Sequence, residues 1–185
     1  MASFGAKYPC FAPIVTEQES ALPTYDDMVT IGRLVKADLT VALSSGQLYA
    51  DDKLAESVDE FASASIAMET DDMTDEVAAV IYGATVSQGE VSYKAGDVQP
   101  LGGLAYYKTL MRDGTKLYKG YYYPKVKAVL GNDSAATKAD SITFGTSATT
   151  FTVFASNTDV WRATEEFETE QGAVAWVKEK LGESA

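Results

Sequence analysis

The stretch from residue 102 to residue 130 constrains the fold most, because it predicts a long β-hairpin. Two runs of β-forming residues flank the sequence Arg-Asp-Gly-Thr at 112–115. An Asp-Gly step between alternating strands is the strongest short-range hairpin signal. Pro124 should interrupt the second strand, since proline has no N–H to donate to a ladder. The hairpin holds six tyrosines, namely Tyr106, Tyr107, Tyr118, Tyr121, Tyr122 and Tyr123.

The register of this hairpin depends on the length of its loop. A two-residue loop would place Lys108 directly opposite Lys119, and like charges in that position destabilise a sheet. A three-residue loop with Gly114 in a left-handed bulge would instead set Lys108 opposite Tyr118 and Lys119 opposite Tyr107. We therefore expect the bulged loop.

Length and composition exclude several classes of protein. A chain of 185 residues is long enough to bury a core as one domain without staples. It has a single cysteine, Cys10, and no histidine. An intramolecular disulfide, a Cys/His zinc site and a catalytic triad with a histidine base are therefore excluded.

The net charge and the length of the apolar segments indicate which partners the protein can have. A formal net charge of −12 argues against gripping nucleic acid through its phosphates, which requires clustered lysine and arginine. The amino terminus is interrupted by Pro9 and Pro13 and does not resemble a secretory signal. The most apolar window, 77–86, is far shorter than the roughly 20 residues that span a bilayer. We expect a soluble protein with no membrane partner.

Two segments lack a regular hydrophobic period. Residues 1–28 contain three prolines and predict an extended N-terminal arm. Residues 44–60 are polar and acidic and predict a long protruding loop, a kind of segment that tends to be functional. The apolar side chains of the arm have two open interpretations, packing on their own domain or docking on a neighbouring subunit.

The remaining segments predict mostly strands. Alternation predicts strands within 28–43, 61–69, 141–144, 149–154 and 160–167, and a short hairpin over 86–93 turning at Gln88-Gly89. Asp71, Asp72 and Thr74 offer N-caps for one internal helix that should end at Gly83, and Thr169 should cap a terminal helix. This order predicts a mainly-β fold, an antiparallel β-sandwich or small barrel with the two helices on its flank.

Candidate chemistry is weak. Acidic pairs are plentiful, as in a two-carboxylate hydrolase, but no pair is distinguished by its spacing, and solvated acidic faces explain them. No segment has the ligand spacing of a calcium loop. We expect no enzymatic activity, cofactor or metal. The clustered tyrosines could pack within the sheet, form an assembly interface, or stack on sugar rings.

Several motifs together resemble one protein family. They are Lys-Tyr-Pro at 7–9 with Phe-Ala-Pro at 11–13, LYADD at 48–52, DDMTDEV at 71–77, YYKTLMRDGTKLYKGYYYPKV at 106–126 and WRATEEFETEQGAVAWVKEK at 161–180. In this order the chain resembles, over nearly its whole length, the major tail proteins of long-tailed, non-contractile bacteriophages, the phi13-type tail tube family.

The resemblance implies a structural virion protein, assembled in the host cytoplasm. Its β-sandwich subunits would form hexameric rings stacked into a tail tube, with DNA passing through the lumen without specific binding. Further partners would be the tape measure, tail terminator and distal tail proteins. The leading alternative is a carbohydrate-binding β-sandwich that uses the tyrosine hairpin. The predicted subunit interface comprises Phe4, Tyr8, Phe11, Ile14, Leu48, Tyr49, Asp51, Asp52, Leu54, Tyr106 and Tyr107.

Overall fold

A computed structural model describes residues 2–50, 53–131 and 145–183, with side chains described in these ranges except at 2, 48–50 and 53–55. Within these residues the chain forms eleven strands and two helices. They are β1 (Ala2–Thr16), β2 (Thr24–Tyr25), β3 (Val29–Thr30), β4 (Leu34–Ala50), β5 (Lys53–Thr70), α1 (Asp75–Tyr82), β6 (Thr85–Ser87), β7 (Glu90–Ser92), β8 (Leu101–Arg112), β9 (Thr115–Val129), β10 (Ser147–Phe154), β11 (Ala163–Phe167) and α2 (Glu170–Lys180).

Nine strands form one antiparallel sheet, and β6 and β7 form a separate hairpin. The main path is β2-β1-β8-β9-β10-β5-β4, with β3 also pairing with β1 and β11 with β9. The sheet is open, and it curls so that β1 and β4 approach each other. The predicted mainly antiparallel β class, with one internal and one C-terminal helix, is confirmed.

Two apolar cores lie on opposite faces of this sheet. The larger core joins β1, β4, β5, β8, β9 and β10 to α1, with Phe11, Ile66, Leu104, Tyr123 and Phe151 among its most buried side chains. The smaller core packs α2 on the other face, where Trp176, Val177 and Leu181 meet Ala105 and Tyr122. Alternate residues of β8 and β9 therefore serve different cores, as expected for a strand whose side chains alternate between faces.

The two-residue loop at the tip of the β8–β9 hairpin contradicts the expected bulge. Asp113 and Gly114 both have positive φ, 49° and 81°, as in the type I′ turn whose twist matches that of the flanking strands. Aspartate tolerates this left-handed conformation better than most residues. Lys108 consequently lies opposite Lys119. The preference for the bulged register was wrong because the turn chemistry outweighed a like-charge pair that other groups compensate.

Pro124 produces the expected interruption as a bulge inside a continuous strand. The register shifts between the Gly102–Val126 and Leu104–Tyr123 pairs, which leaves Pro124 at the irregular position. Its carbonyl oxygen accepts a hydrogen bond of 2.7 Å from the Tyr25 hydroxyl. A proline without an N–H is thus accommodated where the ladder does not need one.

Both helices begin where capping residues predict. Thr74 takes the extended N-cap conformation of α1, and Gly83 ends that helix with a φ of 70°. The Thr169 hydroxyl accepts a hydrogen bond of 3.2 Å from the Gly172 N–H at the start of α2. The predicted positions of both helices are confirmed.

The segment 1–28 is extended, and its first half is a strand of the sheet. β1 pairs with β8 from Ala2 to Pro13, with irregularities around Gly5 and Tyr8, whose φ angles are 68° and 57°. The prolines and bulges hide the period of two that marks a strand. The arm is therefore docked on its own domain along this length.

The predicted loop at 44–60 is the outer part of a two-stranded ribbon formed by β4 and β5. Backbone pairing continues to Ala50 opposite Lys53. Register shifts near Leu43 and near Tyr49 interrupt the alternation, which is why the sequence did not indicate strands. The loop prediction was wrong, apart from residues 51 and 52, which lie outside the described residues. The strand predicted at 141–144 also lies outside them.

Candidate assembly surfaces

Two hairpins extend from the same end of the sheet. Val126, Val153, Ala64 and Val41 form one row across β9, β10, β5 and β4. Strand β10 ends at Phe154, just beyond this row. Both β4–β5 and β8–β9 continue past it for about ten residues, or roughly 30 Å of strand.

Beyond the row, β4 and β5 pair only with each other in the described part of the chain. We call residues 42–63 the free ribbon. Most of its described side chains are exposed, including those of Leu43 (57%) and Val58 (54%). The carboxylates of Glu56, Asp59 and Glu60 are also exposed, and among the described residues no ion pair involves them. The ribbon thus exposes both apolar and acidic side chains to solvent.

Three predicted interface residues fall at the outer end of the free ribbon. Leu48 lies opposite Glu56, and Tyr49 lies opposite Leu54. The backbone therefore places Leu48, Tyr49 and Leu54 there, while their side chains are not described. The predicted interface residues Asp51 and Asp52 lie outside the described residues.

Three predicted interface residues are instead buried in their own subunit. Phe11 is fully buried and stacks on Phe151, with ring centroids 5.9 Å apart. Tyr106 and Tyr107 are only 1% and 3% exposed. These side chains contribute to the cores of the domain, so of the two interpretations of the arm, packing on its own domain holds for Phe11.

The other arm residues are more accessible. Phe4 is 49% exposed, while Tyr8 and Ile14 are half-buried. Tyr8 packs against the smaller core, and burial raises its pKa to about 12. Of the four predicted arm residues, Phe4 presents the most surface to a partner.

The tyrosine hairpin serves mainly for packing. Four of its six tyrosines, namely Tyr106, Tyr107, Tyr122 and Tyr123, are no more than 3% exposed. The Tyr106 ring stacks on Tyr121 with centroids 5.3 Å apart. A sugar-binding platform needs exposed ring faces, which these four residues do not offer.

A cluster of cations occupies the face of the β8–β9 hairpin opposite α2. We call the cluster, together with its one carboxylate, the basic platform; it consists of Lys108, Arg112, Lys119, Arg162 and Glu166. Glu166 on β11 lies opposite Lys119. Its carboxylate oxygens lie 3.0 Å from Arg112 Nη2 and 3.5 Å from Lys119 Nζ. The remaining two cations lie over aromatic rings.

The other two cations of the basic platform, Lys108 and Arg162, lie against aromatic rings. Lys108 Nζ lies 5.2 Å from the centroid of Tyr121 and 5.8 Å from that of Tyr106. The Arg162 guanidinium lies 4.8 Å from the ring of Trp161, which itself stacks on Phe61 at 4.6 Å. Cation–π contact and the Glu166 carboxylate together explain how the sheet tolerates Lys108 opposite Lys119.

Sequence reasoning missed this platform because its members come from separate segments. The pairing of β11 with β9 brings Glu166 and Arg162 to a hairpin more than 40 residues earlier in the chain. The lysines of the hairpin were visible, and the like-charge conflict between them was the one available clue. Two lysines that face each other in a sheet indicate that a negatively charged side chain from another segment lies next to them.

The opposite face of the hairpin carries a separate polar contact beside α2. Glu170 accepts hydrogen bonds from the Tyr107 hydroxyl at 2.5 Å and from Lys7 Nζ at 2.9 Å. These bonds lower the pKa of Glu170, chiefly through Tyr107, whose own pKa is raised by burial. They tie β1, β8 and the first turn of α2 together next to a shallow groove lined by Val174 and Lys178.

Metal sites and membrane spans were also sought. Across the ranges that the structure describes, no group of three or more Cys, Asp or Glu residues is arranged to hold a metal ion. None of the described helices is long and apolar enough to cross a membrane. No protein-family model matches the sequence, and no curated protein matches it.

Proposed function

We propose that this protein is a structural virion protein whose copies assemble into hexameric rings, stacked as the tail tube of a long-tailed bacteriophage. The observation that carries this proposal is the free ribbon, which extends roughly 30 Å from the domain and, in the part of the chain that the structure describes, pairs only with itself. A two-stranded ribbon alone in water is marginally stable at best. It becomes useful, and gains stability, when a neighbouring subunit covers it.

The chemistry of the free ribbon supports contact with a protein surface. Leu43 and Val58 expose more than half of their surface, although apolar side chains cost free energy in water. The outer edge of β4 has no strand partner in the described part of the chain. Unpaired edges promote association, and a repeating head-to-tail contact forms a ring when its rotation closes.

The remaining elements of the proposal follow from the family resemblance and the charge. DNA passes through the lumen without specific binding, and tape measure, tail terminator and distal tail proteins contact the tube and its ends. The formal charge of −12 on each copy is consistent with weak attraction for phosphate. Screening limits any repulsion to about 8 Å at physiological salt, so DNA experiences it only near the wall.

The test removes apolar side chains from the outer end of the free ribbon. The double variant Tyr49→Ser/Leu54→Ser should remain folded but fail to form rings or tubes, as seen by electron microscopy and by thermal unfolding. A matched control, Tyr93→Ser/Val98→Ser, removes one aromatic and one aliphatic side chain that are 54% and 75% exposed elsewhere. The control should assemble normally. If the ribbon variant unfolds, or builds normal tubes, the ribbon does not carry assembly.

A further inference from the structure

We propose that the basic platform of one copy is the docking site for the acidic free ribbon of a second copy. This inference rests on the proposed function, because it names the two surfaces that meet when copies assemble. It commits to protein as the occupant and to carboxylates as the groups that the platform recognises.

The platform lies next to the larger core, on the face of the β8–β9 hairpin opposite α2. Within the described elements, β8 packs chiefly against β1, β9 and α2, and α2 covers the opposite face. Side chains on the platform side remain partly accessible. The side chains of Arg112 and Lys119 are 41% and 30% exposed, and Arg162 is exposed.

The two surfaces have opposite charge. The platform has four cations and one carboxylate, a local charge of 4 − 1 = +3, in a chain whose net charge is −12. The free ribbon, residues 42–63, has five acidic residues and one lysine, a charge of 1 − 5 = −4. Complementary charge of this kind steers association and fixes register more than it adds affinity.

Within one copy, two cations of the platform contact aromatic rings, and the acids of the free ribbon that the structure describes form no ion pair with other described residues. The two cations are Lys108 and Arg162. The Phe61–Trp161 stack anchors the base of the free ribbon near Arg162. Even so, neither Asp59 nor Glu60 forms an ion pair in the described part of the chain. A second copy can supply the missing contacts.

The platform also matches the apolar side chains of the ribbon. Tyr121 and Trp161 are partly buried rings beside the cations, and protein interfaces are enriched in tyrosine, tryptophan and arginine. Val58 of a docked ribbon would find an apolar surface there, while Glu56 and Glu60, which lie on the same face of β5 as Val58, meet the cations. DNA is a poorer fit, because Glu166 would repel phosphate and already engages two of the four cations.

A charge-reversal exchange tests the inference on the full-length protein. The platform variant is Lys108→Glu/Arg162→Glu, and the ribbon variant is Glu56→Lys/Glu60→Lys, which changes two residues on one face of β5. Neither variant touches the Arg112–Glu166 or Lys119–Glu166 contacts. Each variant alone should raise the concentration needed for tube formation by on the order of tenfold, because like charges then face each other. An equimolar mixture should restore assembly, since each ribbon again meets an opposite charge on the other variant.

Controls separate this inference from the proposed function. Lys94→Glu/Lys116→Glu changes the net charge as the platform variant does, but Lys116 lies on the opposite face of the hairpin, and this variant should assemble normally. If the wild-type protein forms no rings or tubes, the proposed function fails and this inference fails with it. If the wild type assembles and the charge-reversal variants do so equally well, or their mixture restores nothing, only the docking assignment is overturned. Loss of binding to double-stranded DNA in the platform variant, with assembly intact, would assign the platform to nucleic acid instead.

Discussion

The β8–β9 hairpin and the β4–β5 ribbon are both long, antiparallel and directed toward the same end of the sheet, yet they differ in what surrounds them. The first is flanked by β1 and β11 and covered on one face by α2. The free part of the second pairs with no other strand in the described part of the chain. Backbone pairing is therefore similar in both, while side-chain burial is not.

This difference in side-chain burial predicts that the two hairpins contribute unequally to the stability of the domain. Tyr122 on β9 is 1% exposed, whereas Leu43 on β4 is 57% exposed. Apolar burial supplies most of the favourable free energy of folding, so the β8–β9 hairpin holds the domain together. The exposed side chains of the free ribbon are then available to contact another molecule.

The largest expected effect on stability comes from removing a buried side chain of the β8–β9 hairpin. Tyr122→Ala removes a ring that contacts Trp176 and whose hydroxyl hydrogen-bonds to Tyr25, and it should lower the free energy of unfolding by about 3–5 kcal/mol. Leu43→Ala on the free ribbon should change it by less than about 0.5 kcal/mol. Urea unfolding followed by circular dichroism measures both. Equal losses would contradict the contrast between the two hairpins.

Alkaline pH should destabilise the buried β8–β9 hairpin. Burial raises the pKa of Tyr122 to about 12, above the value of about 10 for an exposed tyrosine. The folded state thus holds the proton more tightly. The contribution of Tyr122 to the free energy of unfolding is fully present below pH 10. It falls by about 2–3 kcal/mol as the pH rises toward 12.

The measurement combines tyrosinate absorbance with unfolding across this pH range. In Tyr122→Phe the loss between pH 10 and 12 should be smaller than in the wild type, because the titrating group is gone. An unchanged pH dependence in that variant would show that other groups dominate alkaline unfolding.

A glycine pair gives a matched comparison of space around the two hairpins. A Cβ at Gly120 on β9 would lie 2.6 Å from the Trp176 ring, while a Cβ at Gly46 on the free ribbon would meet nothing within 4 Å. Gly120→Ala should therefore cost about 1–3 kcal/mol by displacing α2. Gly46→Ala should be neutral or stabilise by up to about 1 kcal/mol, since alanine loses less entropy in a strand. Thermal unfolding distinguishes these outcomes, and a stable Gly120→Ala protein would mean that α2 is not held as described.

The smallest effect concerns the lysine pair in the β8–β9 hairpin. Glu166→Gln removes the carboxylate shared by Arg112 and Lys119 and should cost about 0.5–1 kcal/mol at low salt, because the contacts are partly exposed. The neighbouring Glu165→Gln, opposite Gly120, should cost nothing measurable. The difference should shrink in high salt. A cost that does not depend on salt would point to packing rather than charge.

Features set by local sequence were predictable. The position of the turn at Asp113-Gly114, although not its loop length, was predicted from nearby residues. The caps at Thr74 and Thr169 and the alternation that buries Phe151 and Val153 also depend on residues close together in the chain. In each case a short pattern has one favourable backbone conformation. The structure follows these predictions within a residue or two.

Features set by distant residues were not predictable. The hairpin register depends on Glu166, which only the placement of β11 brings next to Lys119. The free ribbon was hidden because register shifts near Leu43 and Tyr49 break its alternation. The burial of Tyr106 and Tyr107 required knowing that cores lie on both faces of the hairpin. The position of the free ribbon matches the predicted segment 44–60, although its strands were not predicted.

Electron microscopy of the purified wild-type protein, over a series of concentrations and salt conditions, tests the central claim most directly. If copies assemble through the free ribbon, the images should show rings about one subunit thick and tubes built from stacked rings. Reducing the concentration should return them to single subunits of unchanged fold. Single particles alone at every concentration and salt condition would contradict the account, as would sugar binding or catalytic turnover by such particles.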